Sequence, residues 1–256
     1  ISEMIRAGTI AAISVTGANL EESLYRLVAH SDYAYIPEYQ KLTRAQEKEL
    51  ERAGYRRLTD TFIPEEESVR IVFPQLKELW RAAEKKGESH LWHEYFFQLF
   101  EHELLTFNGN PRDCWLYQAW KHGIPVFVPG AEDSTMGNIF AWACYGGTHP
   151  FLSRFVLKGG PIRPGVVLPS WCYMHRLAEW YMNQTAECSI AFLQLGGGIA
   201  ADFPICVVPH LKKDYLSGES HETQEKLVGS WAGFVEIHSS PMSFGSYSGA
   251  GFDEKI

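Results

Sequence analysis

Apolar residues fall in blocks along this chain, and most blocks predict a strand that leads into a helix. Residues 9–15 (TIAAISV) form a continuous small and β-branched run, the pattern of a strand covered on both faces. The run ends at Thr16-Gly17-Ala18-Asn19, and Leu20, Leu24, Leu27 and Val28 then recur at helical spacing. Asn19 is the expected N-cap, with Glu21 and Glu22 in a first turn where the helix dipole favours carboxylates. Residues 31–70 are polar and charged, and read as an excursion or lid with some helix. Helices are expected over 72–85, 90–105 and 114–122; in the second, Leu91, Trp92, Tyr95, Phe96, Leu99 and Phe100 make an apolar stripe.

The next strand, 124–128, runs through Pro129 and Gly130 into the polar loop 131–138, with a helix expected over 140–145. A Gly/Pro-rich segment covers 146–164, and a helix over 170–187 feeds a strand over 189–195 that ends in Gly196-Gly197-Gly198. A last strand, 233–237, opens into the Ser/Gly-rich residues 239–251. Buried strands alternating with helices predict an α/β fold with a parallel sheet and flanking helices.

Four of these strands end in loops rich in Gly, Ser, Thr, Asp or Glu, and open α/β sheets bind ligands beyond the carboxyl ends of their strands. One such loop alone is as well explained as a solvated turn; four at one edge favour a site. The stretch 196–201 fits G-x-G-x-x-A directly after a strand, where glycines let backbone N–H groups approach a pyrophosphate. It lies late in the chain, and no acidic residue stands out about twenty positions on to take a ribose, so it reads as a close-approach loop more than as a dinucleotide fingerprint.

Composition narrows the classes. The chain has 256 residues, 45% hydrophobic and 14% aromatic, enough for a sizeable core. A net charge of −8 with no basic stripe argues against a nucleic-acid partner and favours cationic ligands. No run is long and apolar enough to cross a membrane. Five cysteines are widely spaced without a C-x-x-C pair, which indicates reduced thiols in the cytoplasm and neither a disulfide framework nor a zinc site. His90 and His93 flank the aromatic stripe and lack a third ligand, so no metal is expected. Neither a nucleophile elbow nor a Walker A sequence occurs.

Taken in order, the polar loops resemble those of the deoxyhypusine synthase family. SVTGANLEES is similar to that family's T-x-G-G-x-E-E, and KHGIPVFVPGAEDSTMGN to its N-I-P-V-F-x-P-A-x-x-D-G-S-x-G-D. LQLGGGIAADF resembles L-G-G-G-x-x-K-H, and GSYSGAGFDE resembles G-S-x-S-G-A-x-x-D-E. The resemblance implies a Rossmann-like, NAD-binding α/β domain over 1–256, truncated at both ends relative to the family. It also implies a homotetramer with sites at subunit interfaces. NAD takes a hydride from a polyamine such as spermidine, and an aminobutyl group passes by way of an enzyme lysine to an acceptor amine. By the same matching, Thr16, Glu22 and Asp133 contact NAD, Gly196, Gly197 and Gly198 lie beside it, Ser239 and Ser248 reach it, and Glu254 binds the polyamine.

The departures sit on the substrate side. Asn138 stands where the family has an aspartate, Asp202 where it has a histidine, Tyr247 where it has an aspartate, and Glu236 where it has a tyrosine. Asp202 and Glu236 could replace lost carboxylates toward a cationic substrate. The expected substrate is therefore a small polyamine or guanidine, with a homospermidine-type acceptor rather than a translation-factor lysine. The family's nucleophilic lysine lies in S-W-G-K, a few residues beyond D-E. Lys255 comes too early to be that lysine, which is expected beyond Ile256. Amine oxidation without transfer, or an inactive subunit that completes a paralogue's site, are the alternatives.

Overall fold

The computed structural model describes residues 1–145 and 160–239. The elements in chain order are α1 (Ser2–Arg6), β1 (Ile13–Ser14), α2 (Gly17–Val28), β2 (Ala34–Tyr35), α3 (Arg44–Arg52), β3 (Arg56–Leu58), β4 (Thr61–Ile63), α4 (Glu65–Lys86), α5 (Trp92–Glu101), α6 (Trp115–Lys121), β5 (Val126–Phe127), α7 (Thr135–Tyr145), α8 (Trp171–Thr185), β6 (Ala191–Leu195), α9 (Ile199–Ile205), α10 (Val207–Pro209), α11 (His221–Leu227) and β7 (Gly233–Ile237). Helices and small parallel sheets make a mixed α/β chain. It divides into two compact units: one is Ile1–Ile13, Gly17–Val126 and Ala131–Leu168, the other Ser14–Thr16, Phe127–Gly130 and Pro169–Ile256.

The first unit is a helical core. Helix α2 buries Leu20, Leu24 and Leu27, α4 buries Val69, Val72, Phe73, Leu76 and Trp80, and α5 buries Tyr95, Phe96 and Leu99. Trp80 stacks on Trp92 with ring centroids 6.0 Å apart, and Phe140 of α7 meets Trp80 edge-on at 4.9 Å. Large rings carry much apolar area each, so this cluster dominates the burial that holds α4, α5 and α7 together. Helix α4 opens with Glu65, Glu66 and Glu67, closes with Lys85 and Lys86, and stops at Gly87 in the left-handed region (φ 74°). Both ends therefore suit the helix dipole and the αL cap. His93, considered above as a metal ligand, is buried with its ring against Phe97, a packing role.

The second unit is built on parallel β6–β7, paired from Ala191↔Gly233 to Leu195↔Ile237. Phe192 stacks on Phe234 at 4.7 Å, and Trp231 fills the space between Phe192 and Tyr181 of α8. The Tyr181 hydroxyl donates to the Gly229 carbonyl at 2.7 Å. Phe127 packs on Tyr173 and Trp180, also of α8. Strands β1 and β5 pair separately. Ile13 N–H donates to Pro125 O and Val15 N–H to Phe127 O, each at 3.0 Å, the same-sense advance of a parallel pair.

Four expectations change. The strand expected over 9–15 is only Ile13–Ser14, half-buried rather than covered on both faces, because only Ile13 and Val15 N–H find carbonyls of the 125–127 segment. Asn19 is not the N-cap: α2 begins at Gly17, which lies close against the 131–134 loop. The excursion 31–70 holds an antiparallel sheet in the order β2-β4-β3, with Phe62 of β4 buried and both edge strands exposed. Helix α7 starts at Thr135, inside the stretch expected to be loop. The helix over 170–187 and the strands over 189–195 and 233–237 have counterparts in α8, β6 and β7.

Candidate functional site

In the first unit the polar loop 131–138 folds onto the start of α2. A Cβ on Gly17 would lie 2.8 Å from the Ala131 carbonyl oxygen and 3.0 Å from Ser134 Cβ, so only glycine permits this approach. The carboxylate of Glu21, 4% exposed, then spans the start of α7. Its Oε1 accepts the Thr135 N–H and its Oε2 the Met136 N–H, both at 2.8 Å. Ser134 Oγ accepts the Gly137 N–H at 3.0 Å, and Ser134 O the Asn138 N–H at 3.0 Å. All four leading N–H groups of α7 are thus bonded within the protein, and this helix start has no amide left for a ligand anion.

Burial pushes the Glu21 carboxyl up to about 7, against the opposing pull of the two amides and Ser134; Glu65 adds a smaller upward push. Glu65 of α4 accepts the Thr135 hydroxyl at 2.6 Å and lies 3.5 Å from Arg56 Nε. Glu22, one residue on, is half-buried; burial raises its pKa, while Tyr33 and Arg26 lower it. Arg26 stands 3.6 Å from Glu22 and also covers the Tyr33 ring at 5.2 Å. Asp133 and Asn138 are exposed on the same loop. Asn138 Nδ2 donates to Ser134 O at 2.7 Å and more weakly to Glu132 O at 3.4 Å, so its amide is turned back on its own loop.

In the second unit the glycine run and Ser239 lie at the shared carboxyl edge of β6 and β7, where Gly196 N–H donates to Ile237 O at 2.9 Å. Gly196 (φ 83°) and Gly198 (φ 84°) hold left-handed backbone that an L side chain rarely adopts. Among the described residues, a Cβ at either would meet nothing within 4 Å, so this backbone faces open space there. The loop after β5 lies alongside: a Cβ on Gly130 would sit 3.4 Å from Ile199 Cδ1, at the start of α9. Thr16 is half-buried after β1. Asp202 is exposed on α9, and Glu236 is half-buried in β7.

The predicted residues therefore gather in two places. Glu22, Asp133 and Asn138 lie around the junction of α2 with the 131–138 loop; Gly196, Gly197, Gly198 and Ser239 share the β6–β7 edge. Tyr247, Ser248 and Glu254 lie outside the described residues. The sequence marked Glu21 only as a first-turn carboxylate of the helix, yet Glu21, Leu24, Tyr25 and Val28 follow i, i+3, i+4, i+7 spacing, which puts a carboxyl on the buried stripe of α2. Such a carboxyl must find donors. Among the described residues, no three His, Cys, Asp or Glu side chains are grouped to hold a metal ion, and no helix is long and apolar enough to cross a membrane.

Comparison with known proteins gives one consistent family. A family model described as deoxyhypusine synthase matches residues 1–151. The chain is 29% identical over 152 residues to a probable deoxyhypusine synthase of Picrophilus torridus, a match that covers 57% of this chain and 42% of the relative. It is 30% identical over 138 residues to probable deoxyhypusine synthase 2 of Methanosarcina mazei, covering 54% of this chain and 36% of the relative. The corresponding Methanosarcina acetivorans protein is 29% identical over 137 residues. The chain spans less than half the length of these curated relatives.

Proposed function

The chain belongs to the deoxyhypusine synthase family, and on that premise we propose that it is the NAD-binding, Rossmann-like part of an enzyme that transfers an aminoalkyl group between amines. The family match over 1–151 carries this reading. The cofactor's chemistry fits the residues present. The left-handed Gly196 and Gly198 leave backbone facing open space, as close approach of a pyrophosphate requires, and Ser239 brings a hydroxyl to the same strand edge. When bound, the nicotinamide supplies a hydride acceptor for a carbon–nitrogen bond. Thr16, Glu22, Asp133 and Ser248 are the further contacts that we assign to it.

The chain's own residues decide the amine. A polyamine ammonium needs carboxylate partners, and Asn138 offers none because its amide is spent on Ser134 O. Asp202, Glu236 and Glu254 are the carboxylates that we assign to the cationic substrate, and Tyr247 is assigned to it as well. Loss of the family's aspartate and histidine on this side favours a small amine acceptor of the homospermidine type over a protein lysine. The five free cysteines suit a reducing compartment such as the cytoplasm. The proposed assembly is a homotetramer.

The test is to incubate the protein with NAD, spermidine or agmatine, and putrescine, following NADH absorbance and the mass of the amine products. Amine-dependent hydride transfer with an enlarged amine is the expected result. The reading falls if calorimetry detects no NAD binding and no amine elicits hydride transfer.

A further inference from the structure

Strand β6 inverts the usual burial order at its carboxyl end. On the face of the sheet that carries the stacked Phe192 and Phe234, the next pair along is Gln194 and Glu236, direct partners in the parallel register. Gln194 is only 5% exposed, whereas Leu193 and Leu195 on either side of it are exposed. Burying an amide while leaving two leucines in solvent is unfavourable unless the amide finds partners. One end of it does. Gln194 Nε2 donates to the Gly196 carbonyl at 2.7 Å, which also fixes which end of the amide is nitrogen. The other end does not: Oε1 is buried and accepts no hydrogen bond among the described residues. Glu236, across from it, is half-buried, so the pair is reached from the β7 side.

We propose that Gln194 Oε1 and the Glu236 carboxylate together seat the ammonium of a primary amine. Both groups are acceptors and neither serves the other, since an ionised carboxylate has no proton to give and the amide nitrogen is turned to Gly196. What joins two facing acceptors is a ligand with at least two N–H donors, and the single negative charge of the pair calls for a single positive one. Neighbouring strands lie about 4.8 Å apart. A tetrahedral nitrogen about 2.8 Å from each of two oxygens holds them about 4.6 Å apart, so an ammonium matches the span between the strands. A guanidinium fork suits the two oxygens of one carboxylate instead. The glycine run begins two residues beyond Gln194, so an amine seated here lies beside the loop assigned to the cofactor. Which amine it is rests on the proposed function; the choice of an ammonium rests on the two acceptors alone.

Calorimetric titration with putrescine, with and without NAD, is the test; butanediol of the same chain length, which has hydroxyls in place of ammonium groups, is the control. Putrescine is expected to bind and the diol not to. Gln194→Met keeps the length of the side chain and removes the acceptor. It is expected to weaken putrescine about tenfold or more, the effect of losing one hydrogen bond to a charged group. Glu236→Gln keeps the shape, removes the charge and is expected to weaken putrescine at least as much. Unchanged putrescine affinity in either variant overturns the proposal. So does a diol that binds as tightly as putrescine, or an unaltered protein that binds no putrescine in either condition. Should Gln194→Met fail to fold, Gln194→Glu decides. A second carboxylate is expected to tighten putrescine several-fold at low salt and to lose that gain as salt is added, and an unchanged or weaker affinity overturns the proposal. Amine binding that depends on Gln194 would survive a failure to see hydride transfer. Hydride transfer to which Gln194 is indifferent would leave the proposed enzyme standing without this seat.

Discussion

Glu21 Oε1 accepts the backbone N–H of Thr135 at 2.8 Å, a bond between residues 114 positions apart that joins the start of α7 to the side of α2. Its effect on stability has a definite sign. The folded carboxyl is raised from 4.5 to about 7, so the folded state holds this proton more tightly than the unfolded chain. The contribution is fully present below about pH 4.5 and is lost as pH rises through about 7. Relative to Glu21→Gln, the unaltered protein should therefore lose on the order of 3 kcal/mol between about pH 5 and pH 8, read from thermal melts of the two proteins side by side. Parallel melting curves at both pH values would count against the raised carboxyl.

Gly17→Ala tests the close approach beneath that bond. The new Cβ would come 2.8 Å from the Ala131 carbonyl oxygen, which is backbone and cannot rotate away. A loss of about 1–3 kcal/mol is expected, the range for forcing extra volume into a packed contact. Gly8→Ala is the control, because a Cβ there meets nothing within 4 Å. Its only cost is the left-handed backbone (φ 68°), about 1 kcal/mol. Denaturant titration of both variants compares the two costs.

Gly198→Ala separates cofactor binding from packing. With φ at 84° and open space around it, the substitution should cost only about 1–2 kcal/mol of backbone strain while turning the loop away from its present course. The expected outcome is a chain that melts within a few degrees of the original and binds NAD at least about tenfold more weakly, measured by calorimetry. Unchanged NAD affinity would remove the glycine run from the proposed site.

Asn138→Asp returns a carboxylate to the loop and gives up the Nδ2 donation to Ser134 O. An acidic side chain in the first turn of α7 suits the helix dipole, so the fold should tolerate the change within about 1 kcal/mol. Under the proposed function, affinity for spermidine should rise several-fold through one charge-assisted contact. Competition binding with and without added salt checks it; a gain that salt leaves untouched would point away from an ammonium partner.

Much of this molecule was open to reading along the chain. Strands β6 and β7 and helix α8 came from apolar runs and helical spacing, although in the strands Leu193, Leu195, Val235 and Ile237 stay exposed while Gln194 is buried. Elsewhere the local pattern misled. Nothing local marks residues 56–63 as a hairpin, since Arg56, Arg57 and Leu58 alternate no clear face and Phe62 alone of the β4 residues is buried. Residues 135–139 carry loop-forming groups, yet Glu21 and Ser134 bond the N–H groups that would otherwise oppose a helix there. The chain by itself determined the family resemblance, the glycine run that demands left-handed backbone, and an asparagine where a carboxylate was expected. These are properties of single residues and short spacings. Only the tertiary structure decided that Glu21, rather than its neighbour Glu22, spans the gap to α7, and that the start of α7 has no amide to spare for a ligand. Those facts depend on which side chain faces inward once α2 and the 131–138 loop meet, and a contact across 114 positions leaves no mark on the local pattern of either segment.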